Sequence, residues 1–167
     1  SPFNLLFLLI PRSAIAMGVS LLIFLKLVSC TVSFAVLLDV KFKQRNWTTL
    51  LFALSYGFMS YLSANQFNVM WLDALIGLPL IILGVDALLQ KRNPLYYVLP
   101  LSLTILSNYY TGYMICLFVG LYFPYAYLMA NETFSWKTFG KQFGRFIFYS
   151  VLSVGLIMLI LLPTFYS

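Results

Sequence analysis

The chain has 167 residues, of which 62% are hydrophobic and 8% are charged, with ten bases, four acids and no histidine. An ordinary soluble domain is about one quarter charged, so this composition excludes a water-soluble surface and predicts that lipid covers most of the molecule. The missing histidine removes the commonest metal ligand and general base. The net charge of +6 comes from bases in short connections, which indicates membrane topology and not nucleic-acid binding.

Six apolar runs predict membrane-crossing helices. Each such helix needs about 20 apolar residues to cross the bilayer core. In chain order they cover residues 14–38, 47–63, 71–89, 95–107, 112–129 and 146–162. A further apolar stretch, from Phe3 to Ile10, is too short to cross. The predicted fold is an all-α polytopic transmembrane bundle, a single domain over residues 1–167. Because the chain begins without a methionine or a signal peptide, we expect an internal fragment of a longer membrane protein.

Aromatic and basic side chains repeat at helical spacing between the fifth and sixth runs. They are Phe139, Phe143 and Phe146 on one stripe and Lys137, Lys141 and Arg145 on another. The pattern predicts a short amphipathic helix on the inner leaflet, which either binds anionic lipid or is only an anchored connecting loop. In the third run, Pro79 predicts a kink, and Gly77 and Gly84 allow close helix packing.

Basic side chains gather in alternate connections between the predicted helices. The connections after the first, third and fifth helices hold eight of the ten bases: Lys41, Lys43, Arg45, Lys91, Arg92, Lys137, Lys141 and Arg145. The opposite turns, 64–70 and 108–111, hold none. Because positively charged connections stay in the cytoplasm, we expect the amide- and tyrosine-rich turns to face the extracytoplasmic side.

The first of these outer turns brings amides and a carboxylate to the start of the third helix. The polar residues are Asn65, Gln66, Asn68 and Asp73. One interpretation is local, with Asn68 or Asp73 capping the helix or complementing its dipole. The other is a polar platform for a lipid headgroup or a sugar, whose hydroxyls bond these groups while Trp71 offers an apolar ring face.

The second outer turn follows a helix of only 13 residues, which covers about 20 Å. Since that is less than the hydrocarbon thickness, we expect the turn to lie below the outer surface. Irregular backbone at that depth is tolerated where it lines a wet cavity, so Asn108, Tyr109 and Tyr110 are predicted on a cavity wall. The alternative is an aromatic belt around a tight turn.

Two bases lie outside the cytoplasmic connections. Lys26 is near the middle of the first helix, where a charge is costly and must face a partner or water. Its partner is either Asp73, in a pair that could be purely structural, or the phosphate of a lipid ligand. Arg12, at the outer interface, either binds a phosphate or anchors the segment.

Several motifs resemble the bacterial YfhO membrane protein family. The most specific are the two outer turns, residues 68–74 continued by Leu78-Pro79-Leu80, and residues 107–114 continued by Leu121-Tyr122-Phe123. The opening Ser1-Pro2-Phe3-Asn4 and the Leu25-Lys26 pair also fit. The resemblance spans most of the chain.

Members of that family are longer than this chain and resemble GT-C glycosyltransferases of Gram-positive bacteria. The resemblance implies a multi-pass plasma-membrane enzyme that transfers sugar from a polyprenyl-phosphate carrier to a wall polymer such as teichoic acid, without a further cofactor. Lys26 or Arg12 would then stabilise the leaving phosphate, and Asn68, Asn108 and Tyr109 would position the acceptor. The catalytic acid of such enzymes lies in a first outer loop that would precede Ser1, so no residue here is assigned to it. A lipid or solute transporter and a non-catalytic scaffold remain the alternatives.

Overall fold

The computed structural model describes residues 15–43, 46–59, 69–131 and 134–166, with side chains given for these ranges except at 69, 70 and 159–166. The described residues form six helices and no strand. The helices are α1 (Ile15–Phe42), α2 (Trp47–Gly57), α3 (Val69–Leu89), α4 (Leu95–Ser107), α5 (Tyr109–Ala130) and α6 (Trp136–Tyr166). The predicted all-α fold is confirmed.

Three of the described helices are long and apolar enough to cross a membrane: α1, the part Trp71–Leu89 of α3, and α5. The arrangement of α1 shows why lipid must surround it. Its buried stripe includes the small or polar residues Gly18, Lys26 and Ser33 beside two leucines, while large apolar side chains such as Phe24 are exposed. This distribution is stable only where the surroundings are as apolar as a protein core.

Helices α2 and α4 are shorter than a hydrocarbon core. With 11 and 13 residues they cover about 16 and 20 Å, against a thickness of about 30 Å. The second run was predicted to extend to residue 63, but α2 ends at Gly57, and residues 60–63 lie outside the described ranges. Gly57 faces α1 closely, since a Cβ atom placed there would overlap the Thr31 hydroxyl.

Helix α6 joins two segments that the sequence presents as separate. It runs for 31 residues without a break, so the predicted amphipathic helix is the first part of the same helix as the sixth predicted span. Gly140 and Gly144 do not interrupt it. A glycine costs a helix only about 1 kcal/mol, which neighbouring aromatic contacts such as Phe123 with Phe139, at 6.1 Å between ring centroids, can offset.

The chain divides into two compact units at Pro79, inside α3. The N-terminal unit (Ser1–Pro79) holds α1, α2 and the start of α3. The C-terminal unit (Leu80–Ser167) holds the remainder of α3 and α4 to α6. In the C-terminal unit, a Cβ atom at Gly84 would lie 2.6 Å from the Tyr96 carbonyl oxygen, so the predicted close packing at Gly84 is confirmed.

The end of α3 forms a Schellman cap around Lys91. The Arg92 amide donates to the Ala87 carbonyl at 2.8 Å, and the Lys91 amide donates to the Leu88 carbonyl at 3.1 Å. Lys91 takes a φ of 57°, the left-handed region that glycine usually occupies in this motif. A lysine there costs conformational energy but keeps a positive charge beside the negative end of the helix dipole.

Candidate functional site

The N-terminal unit contains a buried ion pair between α1 and α3. The Lys26 Nζ atom lies 2.6 Å from the Asp73 Oδ1 atom, and the two side chains are 0% and 5% exposed. Lys26 begins the fourth turn of α1, and Asp73 is in the second turn of α3. Of the two partners that the sequence left open for Lys26, the structure brings Asp73 into contact.

The surroundings of the pair are apolar. Cys30, one turn after Lys26, is fully buried against Leu72, and its thiol lies 3.9 Å from the Leu72 carbonyl oxygen. The Tyr56 hydroxyl of α2 donates to the Leu75 carbonyl at 2.8 Å, which ties α2 to the same turn of α3. Three helices therefore enclose the two charges in a medium of low dielectric constant, where an unpaired charge is expensive.

The carboxylate of Asp73 is incompletely satisfied. Neither of its oxygens makes a hydrogen bond of regular geometry within the described residues, so its attraction to Lys26 is chiefly Coulombic. A buried carboxylate normally accepts several hydrogen bonds. Asp73 Oδ2 is thus a free acceptor in the described part of the N-terminal unit, close to a fixed positive charge.

The other predicted residues of the first outer turn contribute less. Trp71 is half-buried in the first turn of α3. It precedes Asp73 by two residues, which places it on a different side of the helix. Asn68 and Arg12 lie outside the described residues, so their predicted roles stay predictions.

The second outer turn is a single residue, Asn108, between α4 and α5. Its side-chain oxygen accepts hydrogen bonds from the amides of Tyr110 at 3.0 Å and Thr111 at 3.5 Å, so it caps α5. Tyr109 and Tyr110 are 77% and 52% exposed. The tight-turn alternative therefore describes the local geometry, with the two rings on the outside of the helix pair.

The length of α4 does not by itself require a recess at Asn108. Helix α5 starts at the same turn, and its 22 residues cover about 33 Å, a full hydrocarbon thickness. Because Asn108 alone joins the two helices, α4 and α5 share this end of the helix pair. The predicted position of Asn108, Tyr109 and Tyr110 on the wall of an outward cavity therefore stays a prediction.

One polar contact inside the C-terminal unit was not expected from the sequence. The Tyr122 hydroxyl of α5 donates to the Asp86 Oδ1 atom of α3 at 3.2 Å. The sequence places Asp86 only near the cytoplasmic bases, and a tyrosine 36 residues later carries no local sign of this pairing.

Within the described ranges, no three histidine, cysteine or acidic residues come together as metal ligands.

Comparison with known proteins identifies the family to which the chain is similar. The family model described as "Bacterial membrane protein YfhO" matches residues 1–167. The "Uncharacterized protein YfhO" of Bacillus subtilis (strain 168) is 27% identical over 95 residues, which are 57% of this chain. The aligned part spans only 11% of that relative's length. No solved structure matches the chain significantly.

Proposed function

The chain belongs to the YfhO family of bacterial membrane proteins, and from that premise we propose that it forms part of a glycosyltransferase acting at the outer face of the membrane. The donor is a sugar on a polyprenyl-phosphate carrier, and the acceptor is a cell-envelope polymer such as teichoic acid. The observation that carries the proposal is the buried Lys26–Asp73 pair, a charged group held inside the membrane-spanning part of the chain.

Transfer of a sugar from a lipid phosphate leaves negative charge on the phosphate. A cation fixed in a low-dielectric site stabilises such a charge much more than one in water does. Lys26 meets this need, and Asp73 is its counter-ion in the absence of carrier. Because Lys26 is fully buried, α1 and the start of α3 must part when the carrier phosphate replaces Asp73 as its partner.

The remaining predicted residues have positioning roles in this proposal. Asn68, Asn108 and Tyr109 orient the acceptor hydroxyl, and Trp71 and Tyr110 offer ring faces to the sugar. Arg12 is a second cation for the phosphate. The catalytic base is not assigned, and Asp73 is treated as the counter-ion of Lys26.

The test is sugar transfer by the full-length protein in membranes supplied with a polyprenyl-phosphate sugar and wall polymer. The informative variant is the double substitution Lys26→Met with Asp73→Asn, which removes both charges and leaves no unpaired one. We expect transfer to fall by at least about a hundredfold, a typical loss on removing one electrostatic group. Phe24→Leu, on the lipid-facing side of α1, is the control and should keep full activity. Wild-type transfer by the folded double variant would show that the pair is structural.

A transporter or flippase is the second candidate. Two features favour it: a proline inside α3, and an ion pair within the spanning region, as in transporters with interrupted helices. The full-length protein in liposomes would then move a fluorescent polyprenyl-phosphate sugar between leaflets without transferring the sugar. Transfer without such movement supports the enzyme. The absence of both transfer and movement supports a non-catalytic scaffold.

A further inference from the structure

The hydrogen-bond ladder of α3 is interrupted at Pro79, which has no backbone N–H. In a continuous helix that N–H would donate to the carbonyl four residues earlier, and here that carbonyl belongs to Leu75. The Tyr56 hydroxyl of α2 donates to this same Leu75 carbonyl at 2.8 Å. A side chain of another helix therefore supplies the donor that Pro79 withholds, which is how a proline inside a spanning helix is tolerated in lipid.

Tyr56 belongs to a helix that is held closely on α1. Its ring stacks on the Phe34 ring of α1, with 4.4 Å between the ring centroids and 10° between the ring planes. One residue later, the Gly57 backbone comes so near α1 that an added Cβ atom would overlap the Thr31 hydroxyl. Because these contacts keep α2 in place on α1, the Tyr56 hydroxyl is a fixed donor, and its bond holds the start of α3 against the α1–α2 pair.

The same short segment of α3 carries the ion pair. Asp73 precedes Leu75 by two residues, and both come before the break at Pro79. The Asp73 carboxylate faces Lys26, but neither of its oxygens makes a hydrogen bond of regular geometry within the described residues. A hydrogen bond depends on angle as well as distance, so the Tyr56 bond fixes the height and rotation of this segment more closely than Coulombic attraction does.

We propose that Tyr56 is the positioning residue of the Lys26–Asp73 site. Its hydroxyl holds Asp73 against Lys26, and release of its bond to Leu75 lets a lipid-linked phosphate reach Lys26. This inference rests on the proposed function, in which α1 and the start of α3 part. On parting, the Leu75 carbonyl loses the Tyr56 donor and has no N–H of Pro79 to replace it, so the bond favours the closed arrangement and opposes carrier binding.

The first test measures opening without any substrate. Cys30 is fully buried against Leu72, so N-ethylmaleimide can alkylate it only when α1 and the start of α3 have parted. Tyr56→Phe, which removes only the hydroxyl, should speed Cys30 alkylation about fivefold in membranes that hold the full-length protein, the effect of losing one hydrogen bond. Peptide mass spectrometry measures each cysteine separately, and Cys116 of α5 should react at an unchanged rate.

Two further variants separate the proposed bond from a general loosening of α2. Ser55→Ala removes a neighbouring hydroxyl that bonds the Leu51 carbonyl inside α2 at 2.8 Å, and it should change the Cys30 rate by less than about twofold. Pro79→Ala restores an N–H for the Leu75 carbonyl, so the effect of Tyr56→Phe should shrink to less than about twofold in that background. An unchanged rate in Tyr56→Phe, or an effect that is equally large with Pro79→Ala, would overturn the proposal.

The second test measures sugar transfer by the full-length Tyr56→Phe protein. Easier opening raises the population that can bind, so the KM for the polyprenyl-phosphate sugar should fall about fivefold, with kcat within about twofold of the wild type. A hydroxyl that only stabilised the fold would not lower KM, and a raised KM would mean that Tyr56 binds the carrier itself. Either result would overturn the proposal. A wild-type protein that transfers no sugar would instead refute the proposed function, and the alkylation rates would still decide whether Tyr56 holds the pair closed.

Discussion

The Lys26–Asp73 pair predicts how single and double substitutions change the free energy of unfolding. At 2.6 Å and an effective dielectric constant of about 20, the two charges attract by about 6 kcal/mol, most of which offsets their desolvation. Removing one partner leaves the other as an uncompensated buried charge. Lys26→Met or Asp73→Asn alone should therefore lower the free energy of unfolding by about 3–5 kcal/mol.

The double variant should recover most of that loss, because no charge then remains in the apolar enclosure. Its stability should lie within about 1–2 kcal/mol of the wild type, as for other buried pairs replaced by neutral side chains. Sodium dodecyl sulfate titration of the full-length protein, followed by circular dichroism, measures all four free energies. If the losses of the single variants simply add in the double variant, Lys26 and Asp73 are not energetically coupled. That result would contradict the buried ion pair.

Substitutions at four further positions each test a single feature. Gly84→Ala should cost about 1–3 kcal/mol because its Cβ meets the α4 backbone, whereas Gly120→Ala, which meets no atom within 4 Å, should be tolerated in the same thermal melt. Asn108→Ala should lower the melting temperature through loss of an N-cap of about 1 kcal/mol, and Asn108→Asp should retain it. Lys91→Gly should raise stability in lipid-free detergent by up to about 1 kcal/mol by relieving its left-handed backbone, and an unchanged melt would contradict that. Tyr110→Cys should react with an impermeant maleimide added outside intact cells, and labelling only after lysis would reverse the predicted sidedness.

Some features of this protein follow from local sequence alone. Hydropathy and the scarcity of charge determine the all-α membrane class, because each apolar run must satisfy its own backbone as a helix in lipid. The cap at Asn108 is equally local, since its donors lie two and three residues away. The close packing at Gly84 was also indicated by the sequence, although its partner, the α4 backbone, was not.

Other features were decided only when the helices packed. The partner of Lys26 depends on the register of α1 against α3, two helices separated in sequence by many residues, and no periodicity encodes that register. For the same reason, the packing of α4 against α6 through Tyr97 and Phe146 became evident only from the structure. Local patterns report the preference of each helix for lipid, whereas the depth and rotation of one helix against another are set by the summed contacts of the whole unit.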